Sequence, residues 1–172
     1  MSASPSASLW DFSLAYYRQP GVEAALLALQ DERGVDVCLL LAFLWLDYRG
    51  IIISARHSSQ LGASISAWQR QYTAGLRELR RRGKRLKEGY SNNLGGSESE
   101  ELYTALKVAE LQAEHVTLAW LQERIGDLSD AGLLELVPPL GVTCSNGRAY
   151  LQQLETEAIF PDCLEQALGM IE

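Results

Sequence analysis

The spacing of apolar and polar residues is helical along most of the chain. Two segments near the N-terminus, about residues 9–18 and 20–33, repeat apolar residues at intervals of three and four, which predicts two amphipathic helices. Ser8 precedes the first segment and Asp11 lies in its first turn, both favourable at a helix N-terminus. Gly34 follows the second segment and is expected to end it in a left-handed conformation.

Ten consecutive apolar residues, Val37 to Leu46, form the most hydrophobic stretch. Asp36 precedes this run and is expected to cap a third helix, and Asp47 follows the last apolar residue. A helix that is apolar on every side must be covered on every side, so we predict that it is the centre of the fold. The isoleucines at 51–53 are predicted to form an extended connector, because no other segment stands out as a partner strand.

Two longer segments, about residues 61–87 and 98–125, also have helical spacing, and a polar loop with two glycines joins them. The short connection predicts an antiparallel helical hairpin. Gly126 is expected to stop the second helix. The residues predicted to face the core are Leu61, Ile65, Trp68, Tyr72, Leu76, Leu79 and Leu86 in the first helix, and Leu102, Leu106, Ala109, Ala113, Val116 and Trp120 in the second. The other two tryptophans, Trp10 and Trp45, are predicted to be buried as well.

These elements predict an all-α fold: a single helical domain of five to seven helices, with a central hydrophobic helix and a long antiparallel helix pair. We divide the chain into a disordered lead-in (1–7), a helical core domain (8–126) and a C-terminal helical extension packed on the core (127–172). The extension is expected to contain two short helices, about 146–157 and 161–171.

The composition, 47% hydrophobic and 22% charged residues, is that of a globular protein. No apolar run approaches the roughly 18 residues that a membrane span requires. The start MSASPSAS lacks a basic region followed by an apolar one, so it predicts no secretion signal. Cys38, Cys144 and Cys163 have no disulfide or metal-site spacing, which favours a reducing compartment. We therefore expect a cytoplasmic protein that does not associate with membranes.

The net charge of −7 is distributed unevenly. Residues 70–88 contain eight basic and two acidic residues (+6), whereas residues 89–172 contain three basic and fourteen acidic residues (−11). This pattern is typical of a solvated helix flank beside acidic neighbours, of a protein docking face, or of an RNA or DNA phosphate contact. The candidate partner-binding residues are Arg80, Arg81, Arg82, Lys84, Arg85 and Lys87.

Two acidic residues are predicted at unfavourable positions. Asp31 and Asp47 lie at the C-terminal ends of the second and third helices, where they face the negative end of a helix dipole. We expect a compensating positive charge, from Arg33, Arg49 or the arginines that begin at Arg77. These aspartates and arginines form either a structural ion-pair network or a small polar pocket. The candidate polar residues are Gln30, Asp31, Asp36, Asp47 and Arg77, of which Asp36 is most simply an N-cap.

Motifs for metal binding or catalysis are missing from the sequence. His57 and His115 are isolated, no Glu-x-x-His pair or Asp-rich diphosphate motif occurs, and Gly95-Gly96 is followed by acidic residues that repel phosphate. We predict neither a metal nor a cofactor. The sequence favours a non-enzymatic protein and leaves an enzyme open.

A family resemblance is carried by LWDFSLAYYRQPGVEAALLALQDERGVDVCLLLAFLWL and, further along, by AWQRQYTAGLRELRRRGKRLK. The pattern is LW-x-F, PGV, LQD, G-x-DV and a Leu-rich run ending in Trp, then a Trp and Leu-Arg-x-x-Arg-Arg. It resembles a family of small, mostly gammaproteobacterial conserved hypothetical proteins of unknown function, over about residues 9–125. Gly75 departs from the proline of that pattern. The resemblance implies a bacterial cytoplasmic helical protein and no activity.

The leading hypothesis is a non-enzymatic protein-interaction or regulatory module with a protein partner. One alternative is an RNA- or ribosome-associated protein that binds through the basic helix 70–88, although nucleic acid is the less favoured partner. Another is a small-molecule enzyme with a polar pocket near Asp31, Asp47 and Arg77. The sequence leaves a homodimer open.

Overall fold

The computed structural model describes residues 8–89, 96–136, 144–154 and 160–171, without the side chains of 86–89 and 96–98. The predicted lead-in and the side chain of Lys87 therefore lie outside the described residues. The elements are α1 (Leu9–Tyr17), α2 (Val22–Arg33), α3 (Val37–Tyr48), β1 (Ile51–Ile52), α4 (Ala55–Trp68), a π-helical segment (Gln69–Thr73), α5 (Ala74–Gly89), α6 (Gly96–Asp130), β2 (Glu135–Leu136), α7 (Ser145–Gln153) and α8 (Asp162–Leu168).

The all-α fold class is confirmed. Because α4, the π-helical segment and α5 follow one another without a break, the described residues form seven separate helices, at the upper end of the predicted range. No helix among them combines the length and the apolar character that crossing a lipid bilayer would need.

The chain forms two compact units. The core unit consists of Met1–Gly62 together with Leu118–Glu172, and the hairpin unit consists of Ala63–Thr117. The domain limits predicted from the sequence, 8–126 and 127–172, stay predictions.

Helix α3 is the centre of the core unit, as predicted. Eleven of its twelve residues are buried, and it contacts α1, α2 and α7. Its start is fixed by Asp36, whose side chain accepts a hydrogen bond from the Leu39 N–H at 3.1 Å. The predicted Ser8 cap of α1 is confirmed by a 3.1 Å bond from the Asp11 N–H, and the left-handed end of α2 by Gly34 at φ +67°.

The isoleucine segment is not an isolated connector, so that expectation was wrong. Strand β1 pairs antiparallel with β2, with Ile51 opposite Leu136 and Ile52 opposite Glu135. Two-residue strands are too short to show the alternation that identifies a strand in a sequence. The partner also lies far along the chain, so no local signal connects the two.

Helix α6 does not stop at Gly126 but continues to Asp130. It ends instead at Gly132, which has φ +68°. The Gly132 N–H bonds to the Ser129 carbonyl at 2.9 Å, and the Leu133 N–H bonds to the Leu128 carbonyl at 3.0 Å. This is the Schellman arrangement, in which a left-handed glycine lets the following N–H groups satisfy the last carbonyls of a helix.

The π-helical segment changes which side chains of the hairpin unit are buried. The Ala74 N–H bonds to the Gln69 carbonyl, five residues back, and this wider turn rotates the following residues relative to a continuous α-helix. The predicted buried stripe holds at Ile65 but fails at Tyr72 and Leu79, which are half exposed, while Thr73 is fully buried.

The predicted inner face of α6 is also partly wrong. Leu102 and Trp120 are exposed, at 62% and 43%. In this helix the buried residues of the hairpin unit are Glu110, Ala113 and Thr117. Ala113 was predicted to face the core, whereas Glu110 and Thr117 were not, because both are polar.

Candidate functional site

Asp47 occupies a buried position in the last turn of α3, with 8% of its surface exposed. Its Oδ1 accepts a hydrogen bond from the Asn146 backbone N–H at 2.9 Å, and its Oδ2 accepts one from the Gly147 N–H at 3.0 Å. Both donors belong to the first turn of α7, where N–H groups lack partners within the helix and the helix dipole is positive. The charge that compensates Asp47 is therefore a helix N-terminus rather than one of the arginines predicted from the sequence.

Asn146 and Gly147 fit α7 closely against α3 and β1. The Asn146 side chain donates to the Ile51 carbonyl at 2.7 Å and accepts from the Ile53 N–H at 3.2 Å, as the backbone of a neighbouring strand would. A Cβ on Gly147 would lie 3.1 Å from a methyl of Leu44, so glycine allows the close approach of the two helices.

Burial raises the pKa of Asp47 to about 7, and the hydrogen bonds from Asn146 and Gly147 offset only part of that rise. Burial also raises the pKa of the neighbouring Cys144 thiol to about 12, so Cys144 is not a thiolate at neutral pH. Both carboxylate oxygens of Asp47 are occupied by backbone donors. The arrangement therefore holds α7 in place.

Replacing Asp47 by Ala leaves two buried N–H groups without acceptors. We expect the Asp47→Ala variant to lose about 2–4 kcal/mol of unfolding free energy, measured by urea denaturation. The exposed Asp31 is the matched control, and Asp31→Ala is expected to change stability by less than about 0.5 kcal/mol. Equal midpoints for the two variants would contradict the anchoring role of Asp47.

The raised pKa of Asp47 predicts a pH-dependent stability. The folded-state pKa of about 7 lies above the ordinary value of 3.8. The contribution of Asp47 to the unfolding free energy is therefore fully present below pH 3.8 and is lost as the pH rises through about 7. We expect the unfolding free energy of the wild type to fall between pH 5 and pH 8, relative to that of Asp47→Asn. A pH-independent difference between the two proteins would show that the Asp47 pKa is not raised.

A second cluster, in the hairpin unit, joins α5 to α6 through ion pairs. The Arg77 Nε lies 3.0 Å from Glu110 Oε1, and the Arg77 Nη2 lies 2.9 Å from Glu114 Oε1. Arg80 also donates from its Nε to Glu110. Glu110 is only 6% exposed, so these two arginines supply ion-pair partners for a carboxylate that has little contact with water.

The residues around this cluster fix the antiparallel arrangement of α5 and α6. A Cβ on Gly83 would lie 3.7 Å from a methyl of Leu106, which lies nearer the start of α6 than Glu110 does. Trp68 Nε1 donates to the Ala113 carbonyl at 3.3 Å.

Burial raises the pKa of Glu114, against the opposing effect of the Arg77 charge. Within the described residues, the buried hydroxyl of Thr73 has no hydrogen-bond partner.

Removing the charge of Glu110 leaves two partly buried guanidinium groups without their shared carboxylate. We expect Glu110→Gln to cost about 3–5 kcal/mol of unfolding free energy, measured by urea denaturation. Glu78 pairs with Arg82 at the surface, at 2.8 Å, and Glu78→Gln is the matched control, whose urea midpoint is expected to stay close to that of the wild type because exposed ion pairs contribute little. Similar losses for the two variants would show that the buried network does not stabilise the hairpin.

The basic residues of α5 therefore divide into two groups. Arg77 and Arg80 are held by acidic residues of α6, whereas Arg82 and Arg85 are about two-thirds exposed and both contact Glu78, at 2.8 and 3.6 Å. The Lys84 side chain is exposed and that of Arg81 is partly exposed.

Three of the candidate polar residues, Asp36, Asp47 and Arg77, have different partners. The Asp36 side chain caps α3, and its backbone N–H donates a hydrogen bond to the Tyr150 hydroxyl at 3.2 Å. Gln30 is half-buried and Asp31 is exposed near the end of α2. Asp47 belongs to the core unit and Arg77 to the hairpin unit, and a pocket shared by them stays a prediction. In the part of the chain that the structure describes, no group of three His, Cys, Asp or Glu residues could hold a metal ion.

A family model described as "Protein of unknown function (DUF2390)" matches residues 8–121, which are 114 of the 172 residues. The match includes Asp47 and the ion-pair cluster but ends before α7. It confirms the resemblance to a family of unknown function, and the bacterial origin stays a prediction. No curated protein and no solved structure matches the chain.

Proposed function

We propose that this chain, which belongs to the DUF2390 family of proteins of unknown function, is a non-enzymatic interaction module of the bacterial cytoplasm. Its partner is a protein that presents an acidic amphipathic helix, and this helix docks on α5 and the preceding π-helical segment. The observation that carries the proposal is that exposed arginines and half-exposed apolar side chains occur together on this part of the hairpin unit.

The apolar part of this surface is formed by Tyr72 and Leu79, which are 50% and 51% exposed. They are seven residues and about 10 Å apart along the helix axis, with Tyr72 in the wider π-helical turn and Leu79 in α5. A partner helix offers apolar side chains at the same interval, at positions i and i+7. The two residues therefore suit an amphipathic helix better than they suit an extended peptide.

The charged part of the surface is formed by Arg82 and Arg85. Both contact the single carboxylate of Glu78, so positive charge remains in excess there. Acidic side chains on a partner would complement this excess and would accelerate association. The interpretation of the basic residues as a flank neutralised by acidic neighbours applies to Arg77 and Arg80, which Glu110 and Glu114 engage directly.

Other features of the chain support a binding role. Asp47 accepts two hydrogen bonds from α7 and the Arg77 guanidinium pairs with two glutamates, so both side chains have structural roles. Cys38 and Cys144 are buried and form no disulfide with a described residue, which suits a reducing compartment. These structural roles give no support to the polar pocket that the enzyme alternative places near Asp47 and Arg77.

The test uses a fluorescent model peptide with leucines at positions i, i+3, i+4 and i+7 and glutamates elsewhere. Fluorescence anisotropy is expected to show salt-sensitive binding to the full-length protein. Reversing two charges, Arg82→Glu with Arg85→Glu, is expected to weaken binding by about tenfold or more, which corresponds to about 1.4 kcal/mol. Leu79→Ser is expected to weaken binding at all salt concentrations, because it removes an apolar contact.

The matched control is Arg124→Glu, since Arg124 is an equally exposed arginine that pairs with Asp127 three residues away. This variant is expected to bind the peptide like the wild type. Absence of binding, or equal binding of a peptide with lysines in place of the glutamates, would reject the proposal. Binding of single-stranded RNA in place of the acidic peptide, lost in the same charge-reversed variant, would instead support an RNA-associated protein.

A further inference from the structure

A groove of about 370 Å³ lies in the core unit, beside the C-terminal ends of α3 and α6. Its volume falls in the range of about 300–1,000 Å³ that is usual for small-molecule sites. Its lining includes Trp45, Arg49, Ile51, Ile125, Gly126 and Asp130.

Arg49 is held in this groove by an aromatic ring. The carbon at the centre of its guanidinium lies 4.6 Å from the centroid of the Trp45 ring, and Trp45 is buried. A guanidinium stacked on an aromatic face keeps its N–H edge available for a bidentate contact with a carboxylate. Within the residues that the structure describes, Arg49 makes no ion pair.

Asp130 supplies the opposite charge in the same groove. It is the last residue of α6, and its carboxylate makes no ion pair with any described residue. A cation is favoured at a helix C-terminus, because the dipole there is negative. The groove therefore offers one cation and one anion, with the apolar side chains of Ile51, Ile125 and Leu134 in the same lining.

Gly126 lies in the middle of a helix that alanine would favour more strongly. Its φ is not positive, and a Cβ at this position would meet no atom within 4 Å. Neither the backbone nor the packing of the described residues requires glycine here. Gly126 does line the groove, where the missing side chain leaves more room for a ligand.

We propose that this groove binds a small zwitterion, an α-amino acid with an apolar side chain. Arg49 contacts the carboxylate, Asp130 contacts the ammonium group, and the apolar side chain packs against Ile125 and Leu134. This site is separate from the docking surface of the hairpin unit and does not depend on it.

Isothermal titration calorimetry of the full-length protein with leucine tests the proposal, with a dissociation constant of about 1 mM or tighter expected. Isoamylamine lacks the carboxylate and 4-methylpentanoate lacks the ammonium group, so each is expected to bind at least about tenfold more weakly. Arg49→Gln and Asp130→Asn are each expected to weaken leucine binding by a similar factor.

A pair of glycine variants separates the effect on binding from the effect on folding. A Cβ added to Gly75, which lies in α5, would also meet no atom within 4 Å. Gly126→Ala and Gly75→Ala are both expected to raise the melting temperature, but only Gly126→Ala is expected to weaken leucine binding. The proposal is overturned if leucine does not bind, if 4-methylpentanoate binds as tightly as leucine, or if the two glycine variants bind leucine equally.

Discussion

The contact between the Asp47 carboxylate and the N-terminus of α7 is the interaction on which the core unit depends. A carboxylate at the C-terminal end of α3 is unfavourable by itself, and a buried helix N-terminus with unpaired N–H groups is unfavourable as well. Each reduces the cost of the other when Asn146 and Gly147 donate to Asp47. The central helix and the C-terminal region are thus joined by two groups that are unfavourable apart.

The hairpin unit also contains a buried carboxylate, but here its charge is balanced by arginine side chains instead of a helix N-terminus. Glu110 is buried between α5 and α6 because Arg77 and Arg80 contact it. Such a network specifies how two helices align, since a shift of one turn would leave charges buried without partners. Arg82 and Arg85, by contrast, lie at the surface and contact Glu78.

Local signals predicted much of this fold, and non-local contacts account for what they missed. The caps Ser8 and Asp36 and the central helix follow from neighbouring residues, and all three are present. The partner of Asp47 lies about a hundred residues further along the chain, and no pattern near Asp47 indicates it. The π-helical segment changes the phase of the helix within one turn, so Tyr72 was assigned to the core by a periodicity that does not continue through it.

Asn146 has a further consequence for the two-stranded ribbon. Strand edges present unpaired backbone groups to which another chain can add, and such edges promote aggregation. By bonding to the Ile51 carbonyl and the Ile53 N–H, the Asn146 amide takes the place of a third strand beside β1. The core unit therefore protects that edge with a single side chain, and the residue that does so also donates its backbone N–H to Asp47.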